Sequence, residues 1–126
     1  MTEIHLDANF IIGALVNESR EWQLMSRWNA AGRTVRVSSM AWAEFLCGPV
    51  ADAAIPEIAH TLGDVLPVTA KDAAQAARLF HLTGRRRGSL ADCIIAAIAL
   101  RSSAEIATNN VDHFSHFAEF GLRIAT

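Results

Sequence analysis

Short apolar segments alternate along this chain with longer segments in which apolar residues recur at helical spacing. The short segments are rich in β-branched residues or bounded by turn residues, which predicts strands over residues 3–6, 34–39, 64–69, 105–108 and 122–125. The longer segments begin near a capping residue or end at a glycine, which predicts helices over residues 18–31, 38–48, 70–83 and 89–103. A further helix starts at Phe10 with Asn9 as its predicted N-cap, another is interrupted near Pro56, and residues 113–121 form an irregular or helical connection.

The alternation of strands and helices predicts the fold class. Parallel strands need long crossover connections, and helices in those crossovers cover the faces of the sheet. We therefore expect an α/β fold, a three-layer sandwich with a mainly parallel central sheet flanked by helices. The length of 126 residues favours a single domain over residues 1–126.

Composition narrows the class of protein. A hydrophobic fraction of 52% with 19% charged residues excludes a disordered chain. The longest clean apolar run, residues 93–100, is too short to span a bilayer, and the first residues lack the regions of a signal peptide. Cys47 and Cys93 are isolated, so we expect reduced core thiols in a cytoplasmic protein and no zinc site.

The basic residues are unevenly distributed. The net charge of −2 argues against a generally basic nucleic-acid-binding protein, yet ten of the eleven basic residues are arginine. Three of them, Arg85, Arg86 and Arg87, are consecutive, and arginine forms forked contacts with phosphate. A charge run is usually a solvated surface, but this one directly precedes the helix that carries Asp92. Contact with an RNA backbone is one interpretation, and contact with an acidic segment of a partner protein is another.

Four acidic residues lie near predicted strand ends or on helices that lead away from them. Asp7 directly follows the first strand, Glu44 lies among apolar residues after the second, Asp92 is in the first turn of the most apolar helix, and Asp112 follows the strand at 105–108. In parallel sheets, ligands bind where the strands end. Carboxylates gathered there repel one another unless a cation is present, and Mg²⁺ prefers oxygen ligands. The pattern favours metal-assisted phosphodiester hydrolysis.

Each of these acidic residues also has a purely structural interpretation. Ser89 and Asp92 match the spacing of a capping box. Glu44 could pair with an arginine, and Asp112 could be a turn residue. Asp7 is harder to explain structurally, because it combines a strand end with an apolar helix directly after it.

The chain resembles the PIN-domain nucleases, and among them the VapC-type toxins of bacterial toxin–antitoxin pairs. The segments that carry the resemblance are, in order, "LDANFII", "AEFLCG", "RRRGSLADCIIAAIAL" and "IATNNVDHF". The resemblance implies a PIN-like fold and a Mg²⁺- or Mn²⁺-dependent endoribonuclease that leaves 5′-phosphate and 3′-hydroxyl ends. It also implies inhibition by a cognate antitoxin.

The resemblance further assigns roles to residues. Asp7, Glu44 and Asp92 match the first three acidic positions of the family. Asn110 stands where relatives often have aspartate, and either Asn110 or Asp112 completes the site. Asp7 and Asp92 are then expected to bind the metal, with Asp112 binding directly or through water and Glu44 orienting or deprotonating the attacking water. Thr108 is expected to position the turn or a metal-bound water.

Two other classes of function stay open on the sequence. The Asn110 departure is compatible with a non-catalytic PIN-like binding module whose metal site has decayed. A receiver-like signalling domain also carries aspartates at strand ends, but it needs a lysine late in the chain, and the single lysine is Lys71.

Several aromatic residues invite a functional interpretation. His113 and His116 lack a third ligand for zinc, so we expect a surface or hinge role. Phe114, Phe117 and Phe120 are expected to pack in the core rather than stack on bases. The second helix, with Trp22 and Trp28, carries apolar residues on more than one face, which indicates a homodimer face, an antitoxin groove or an intramolecular core role.

Overall fold

A computed structural model describes residues 2–86 and 89–126. Its centre is a sheet of four strands, β1 to β4, in the order β2-β1-β3-β4 with every pair parallel. The strands are β1 Ile4–Leu6, β2 Val35–Arg36, β3 Glu105–Ala107 and β4 Arg123–Ile124. The expected α/β sandwich with a parallel sheet is confirmed.

Seven helices connect and cover the strands within the described residues. They are α1 Ala8–Ala14, α2 Arg20–Ala30, α3 Ser39–Leu46, α4 Ile55–Leu62, α5 Ala70–Leu82, α6 Leu90–Arg101 and α7 Val111–Ser115, with 3₁₀ turns at Asp52–Ala54 and Ala118–Phe120. None of the described helices is long and apolar enough to cross a membrane.

The core forms where α6 and the two central strands meet. Helix α6 buries residues on every side, including Cys93, Ile95 and Ile98, which explains why residues 93–100 are all apolar. Phe114 and Phe117 are also buried, so their expected core role is confirmed. Cys93 is a buried thiol as expected, whereas Cys47 is exposed and the prediction of a core position for it is wrong.

Predictions at two places in the chain, the start of the first helix and the third predicted strand, need correction. Helix α1 begins at Ala8, and its N-cap is Asp7 rather than Asn9, because the Asp7 side chain accepts a hydrogen bond from the Ala8 backbone N–H. The predicted strand at 64–69 is reduced to one bridge between Ser38 and Leu66. Pro67 follows directly and lacks the N–H needed to extend the ladder.

Candidate active site

Asp7 lies where β1 ends and α1 begins, and only 5% of it is exposed. Its backbone N–H donates to the carbonyl of Ala107 at the end of β3, over 2.9 Å. Its Oδ1 accepts from the Ala8 N–H at 2.9 Å, and its Oδ2 accepts from the Thr108 hydroxyl at 2.8 Å. Burial raises the pKa of Asp7, while these two hydrogen bonds and the charge of His113 lower it in part.

The turn after β3 is tied to the turn after β1. The Thr108 Oγ1 that donates to Asp7 also accepts from the Asn110 N–H at 2.9 Å. The Asn109 N–H donates to the side-chain Oδ1 of Asn9 at 3.2 Å. Thr108 therefore positions this turn and orients the Asp7 carboxylate, and Asn9 holds the two turns together.

Glu44 lies half-buried in the second half of α3, and the start of that helix is capped. The Ser38 side chain caps that helix by accepting from the Ala41 N–H at 3.1 Å. Burial raises the pKa of Glu44, and the charges of Asp7 and Asp92 raise it further. Within residues 2–86 and 89–126 no arginine or lysine forms an ion pair with Glu44, so the structural interpretation as an arginine partner gains no support.

Asp92 lies in the first turn of α6, with 19% of its side chain exposed. The capping box suggested by the sequence does not form, because the Ser89 hydroxyl donates to the Arg86 carbonyl at 2.6 Å and caps nothing. The Asp92 carboxylate therefore does not take part in capping the start of α6. Burial raises its pKa, the charge of Asp7 adds to this, and the charges of His113 and Arg86 oppose it.

The pKa shifts of Glu44 and Asp92 indicate that these carboxylates interact electrostatically with Asp7 at the carboxyl end of the sheet. The charge of Asp7 acts on both Glu44 and Asp92, and that of Asp92 acts on Glu44. Ionising all three is unfavourable in the absence of a cation, which is the arrangement that a divalent ion relieves. In the described part of the chain, no three His, Cys, Asp or Glu side chains gather closely enough to form a complete ligand set. Mg²⁺ typically takes one or two carboxylates and fills its other positions with waters and phosphate oxygens.

The side of the site next to Asp92 carries basic side chains. His113 Nδ1 lies 3.5 Å from Asp92 Oδ2, and 56% of the His113 side chain is exposed. The Arg86 Nη1 lies 2.7 Å from His116 Nε2. Arg85, which adopts a left-handed conformation with φ of 56°, donates from Nε to His81 Nδ1 at 2.9 Å.

The remaining predicted residues are placed as follows. Asp112 lies exposed in the first turn of α7, and its charge is not among those that shift the pKa of Asp7, Glu44 or Asp92. Asn110 precedes α7 and binds Thr108 through its backbone. Arg87 lies outside the described residues.

His113 and His116 are both exposed, as expected of surface residues, but sequence reasoning missed their partners. His113 faces Asp92, and His116 faces Arg86. Their spacing of three puts His113 on the short helix that follows β3 and His116 at the C-cap of that helix. That spacing was the available signal, since a helix directly after a strand end must start beside the other residues at that edge.

A family model described as the PIN domain matches residues 4–120. A chain of VapBC2 from Rickettsia felis, solved with a DNA fragment from its promoter, superposes with a TM-score of 0.76 at 19% identity, covering 98% of each chain. A chain of DNA-bound VapBC from Salmonella typhimurium gives a TM-score of 0.75 at 24% identity, covering 99% of this chain and 98% of that one. VapC20 of Mycobacterium tuberculosis, a Sarcin-Ricin loop cleaving toxin, gives 0.71 at 17% identity over 98% of each chain. No curated protein sequence matches this chain significantly.

Proposed function

We propose, because this chain belongs to the PIN domain family, that it is a divalent-metal-dependent endoribonuclease and the toxin of a toxin–antitoxin pair. The observation that carries the proposal is the placement of Asp7 at the end of β1 together with Glu44 of α3 and Asp92 of α6, where the charge of Asp7 raises the pKa of the other two. A binding module has no need to keep three coupled carboxylates there. A metal-dependent hydrolase needs them.

Asp7 and Asp92 are the residues proposed to hold Mg²⁺ or Mn²⁺. When bound, such an ion polarises a phosphoryl oxygen and favours deprotonation of a water. Thr108 orients the Asp7 carboxylate for this task through the hydrogen bond described above. Asp112, which is exposed on α7, is a candidate through a bridging water, and the side chain of Asn110 is the other candidate at this corner.

Glu44 is proposed to orient or deprotonate the attacking water. Its raised pKa suits a group that accepts a proton during the reaction. The water oxygen gives a proton to Glu44 and forms a bond to phosphorus, and the bond from phosphorus to the 3′ oxygen breaks. The departing 3′ oxygen takes up a proton from solvent, so the products carry a 5′-phosphate and a 3′-hydroxyl. Arg85, Arg86 and Arg87 are proposed to contact the RNA backbone, which positions the strand without reading its sequence.

A cognate antitoxin is the proposed partner protein. The VapBC complexes that share this fold support the choice. An apolar cavity of about 450 Å³ between α1, α2 and α4 offers a surface for it, lined by residues that include Ile11, Met25 and Ile58. Trp22 is 40% exposed on α2, whereas Leu24 and Trp28 of the same helix are buried. Helix α2 thus divides its apolar residues between the core and a surface available to an antitoxin or to a second copy in a homodimer.

The test of the nuclease proposal combines calorimetry with RNA cleavage. We expect wild-type protein to bind Mn²⁺ and to cut single-stranded RNA only in the absence of EDTA. Asp7→Asn and Asp92→Asn should lose both properties, while Asp52→Asn, at an exposed carboxylate of a 3₁₀ turn, serves as the matched control. Cleavage that persists in EDTA or in Asp7→Asn overturns the mechanism. A protein that neither binds Mn²⁺ nor cuts RNA indicates the non-catalytic alternative.

A further inference from the structure

Both described arginines between α5 and α6 are held by a histidine. His81 Nδ1 receives the Nε–H of Arg85, and His116 Nε2 receives an Nη1–H of Arg86. A guanidinium has donors and no acceptor, so each imidazole nitrogen must be the acceptor and carries no proton in this contact. The roles of the His116 ring nitrogens are thereby fixed by Arg86.

The pair of Arg86 and His116 bridges two segments at the site. His116 directly follows α7, which starts at the end of β3, while Arg86 lies before α6 and its Asp92. Ser89, three residues before Asp92, donates to the Arg86 carbonyl at 2.6 Å, and the charge of Arg86 lowers the pKa of Asp92. His113 faces the same carboxylate from α7. Because carboxylates repel an RNA backbone, the side that carries Arg86 and His113 is the favourable one for a phosphate.

We propose that His116 is a positioning residue for RNA: it accepts a hydrogen bond from Arg86 and so holds the guanidinium beside Asp92, where its remaining donors bind a backbone phosphate. This inference rests on the proposed function. A free arginine loses rotamer entropy when it binds a phosphate, and an arginine already fixed by a neutral acceptor loses less. Among the residues that the structure describes, the other four guanidinium N–H groups of Arg86 form no hydrogen bond with the protein.

The experiment measures the salt dependence of RNA binding in EDTA, where cleavage is suppressed. Binding of a fluorescein-labelled single-stranded oligoribonucleotide is followed by anisotropy from about 50 to about 200 mM KCl, the range over which phosphate contacts lose affinity steeply. The variants are Arg86→Ala, His116→Ala, His116→Gln and the double variant Arg86→Ala/His116→Ala. His60→Ala, at an exposed histidine of α4, is the matched control.

Each phosphate contact to single-stranded nucleic acid contributes about 0.7 to the salt slope, or roughly a 2.6-fold change in affinity over this range. We expect Arg86→Ala to reduce the salt slope by about 0.7 and His116→Ala to reduce it by part of that amount. Since His116 acts through Arg86, the double variant should bind no more weakly than Arg86→Ala alone. Glutamine keeps an acceptor, so His116→Gln should recover affinity, and in cleavage assays His116→Ala should raise KM more than it lowers kcat.

Two results overturn the inference and leave the nuclease proposal intact. One is an unchanged salt slope in His116→Ala while the wild type cuts RNA. The other is a loss in the double variant equal to the sum of the single losses, which assigns His116 a contact of its own. A wild-type protein that fails to cut RNA with Mn²⁺ overturns the proposed function instead.

Discussion

The hydrogen bond from Thr108 to Asp7 offers a sharp test of how the candidate site is built. Thr108→Val keeps the shape of the side chain and removes the hydroxyl. Asp7 Oδ2, in a carboxylate with 5% exposure, then loses the donor that now lies 2.8 Å away. The Asn110 N–H also loses its acceptor, but Asn110 is exposed, so water can replace that bond.

The expected cost follows from the charge of the acceptor. Hydrogen bonds to charged groups contribute about 1.5–3 kcal/mol, against about 0.5–1.5 kcal/mol for neutral pairs. For a chain of 126 residues a loss of this size lowers Tm by about 5–12 °C. Burial already raises the pKa of Asp7, and the Thr108 bond opposes that rise, so removing it raises the pKa further. The loss of unfolding free energy in Thr108→Val is therefore complete at pH values where Asp7 is ionised. It becomes smaller as the pH falls through the pKa of Asp7.

The assay is urea unfolding followed by tryptophan fluorescence in EDTA, at neutral pH and again at acidic pH. Thr83→Val is the matched control, because the Thr83 hydroxyl donates over 2.7 Å to the neutral carbonyl of Leu79. Its cost should be smaller and independent of pH. A cost for Thr108→Val that equals the control, or that does not shrink in acid, would refute the idea that this hydroxyl stabilises an ionised Asp7.

Three other perturbations test separate parts of the structure. Asp72→Asn should lower the free energy of unfolding by about 2–3 kcal/mol, because the 2% exposed carboxylate binds Arg101 through both oxygens at 2.8 and 3.0 Å. Burial raises the pKa of Asp72, but the guanidinium and the capping-box hydrogen bonds outweigh burial and hold it below its ordinary value. This contribution is present above the ordinary pKa of aspartate and should disappear from a pH series of urea titrations as the pH falls through the lowered pKa. Glu44→Gln should raise the free energy of unfolding in EDTA by up to about 1 kcal/mol at neutral pH, because Asp7 and Asp92 repel the half-buried Glu44 carboxylate. A lower Tm in this variant would contradict the prediction. Gly13→Ala should be neutral or stabilising by up to about 1 kcal/mol, because the new Cβ meets only the flexible end of Glu21 at 2.7–2.9 Å, and a large drop in Tm would show that Glu21 cannot move.

Local patterns in the sequence were enough to predict most of the elements. The apolar run in residues 93–100 predicted a buried helix, and α6 is buried on every side. The short apolar segment before Asp7 predicted a strand, and β1 forms there with all three residues buried. Such predictions succeed because helical and strand periodicity are properties of a few neighbouring residues.

Finer local choices depended on contacts that the sequence does not display. Asn9 and Asp7 are both good N-caps, and only the structure assigns the cap to Asp7 and leaves Asn9 to bind the turn after β3. Ser89 and Asp92 have capping-box spacing without forming the box, whereas Thr69 and Asp72 form it fully. The same spacing thus gave two outcomes, since the Ser89 hydroxyl found a different partner in the carbonyl of Arg86.

The sequence by itself determined that Asp7 directly follows a strand end, that Glu44 and Asp92 lie on helices, and that the fold is a parallel α/β sheet. Tertiary structure alone decided which of them meet. The register that pairs Leu6 with Ala107 brings Asp7 beside Thr108, a residue 101 positions away. The order β2-β1-β3-β4 lets α3, α6 and α7 present Glu44, Asp92 and His113 around that point. Strand order and register are set by the packing of the whole chain, so no local pattern encodes the distances between these side chains.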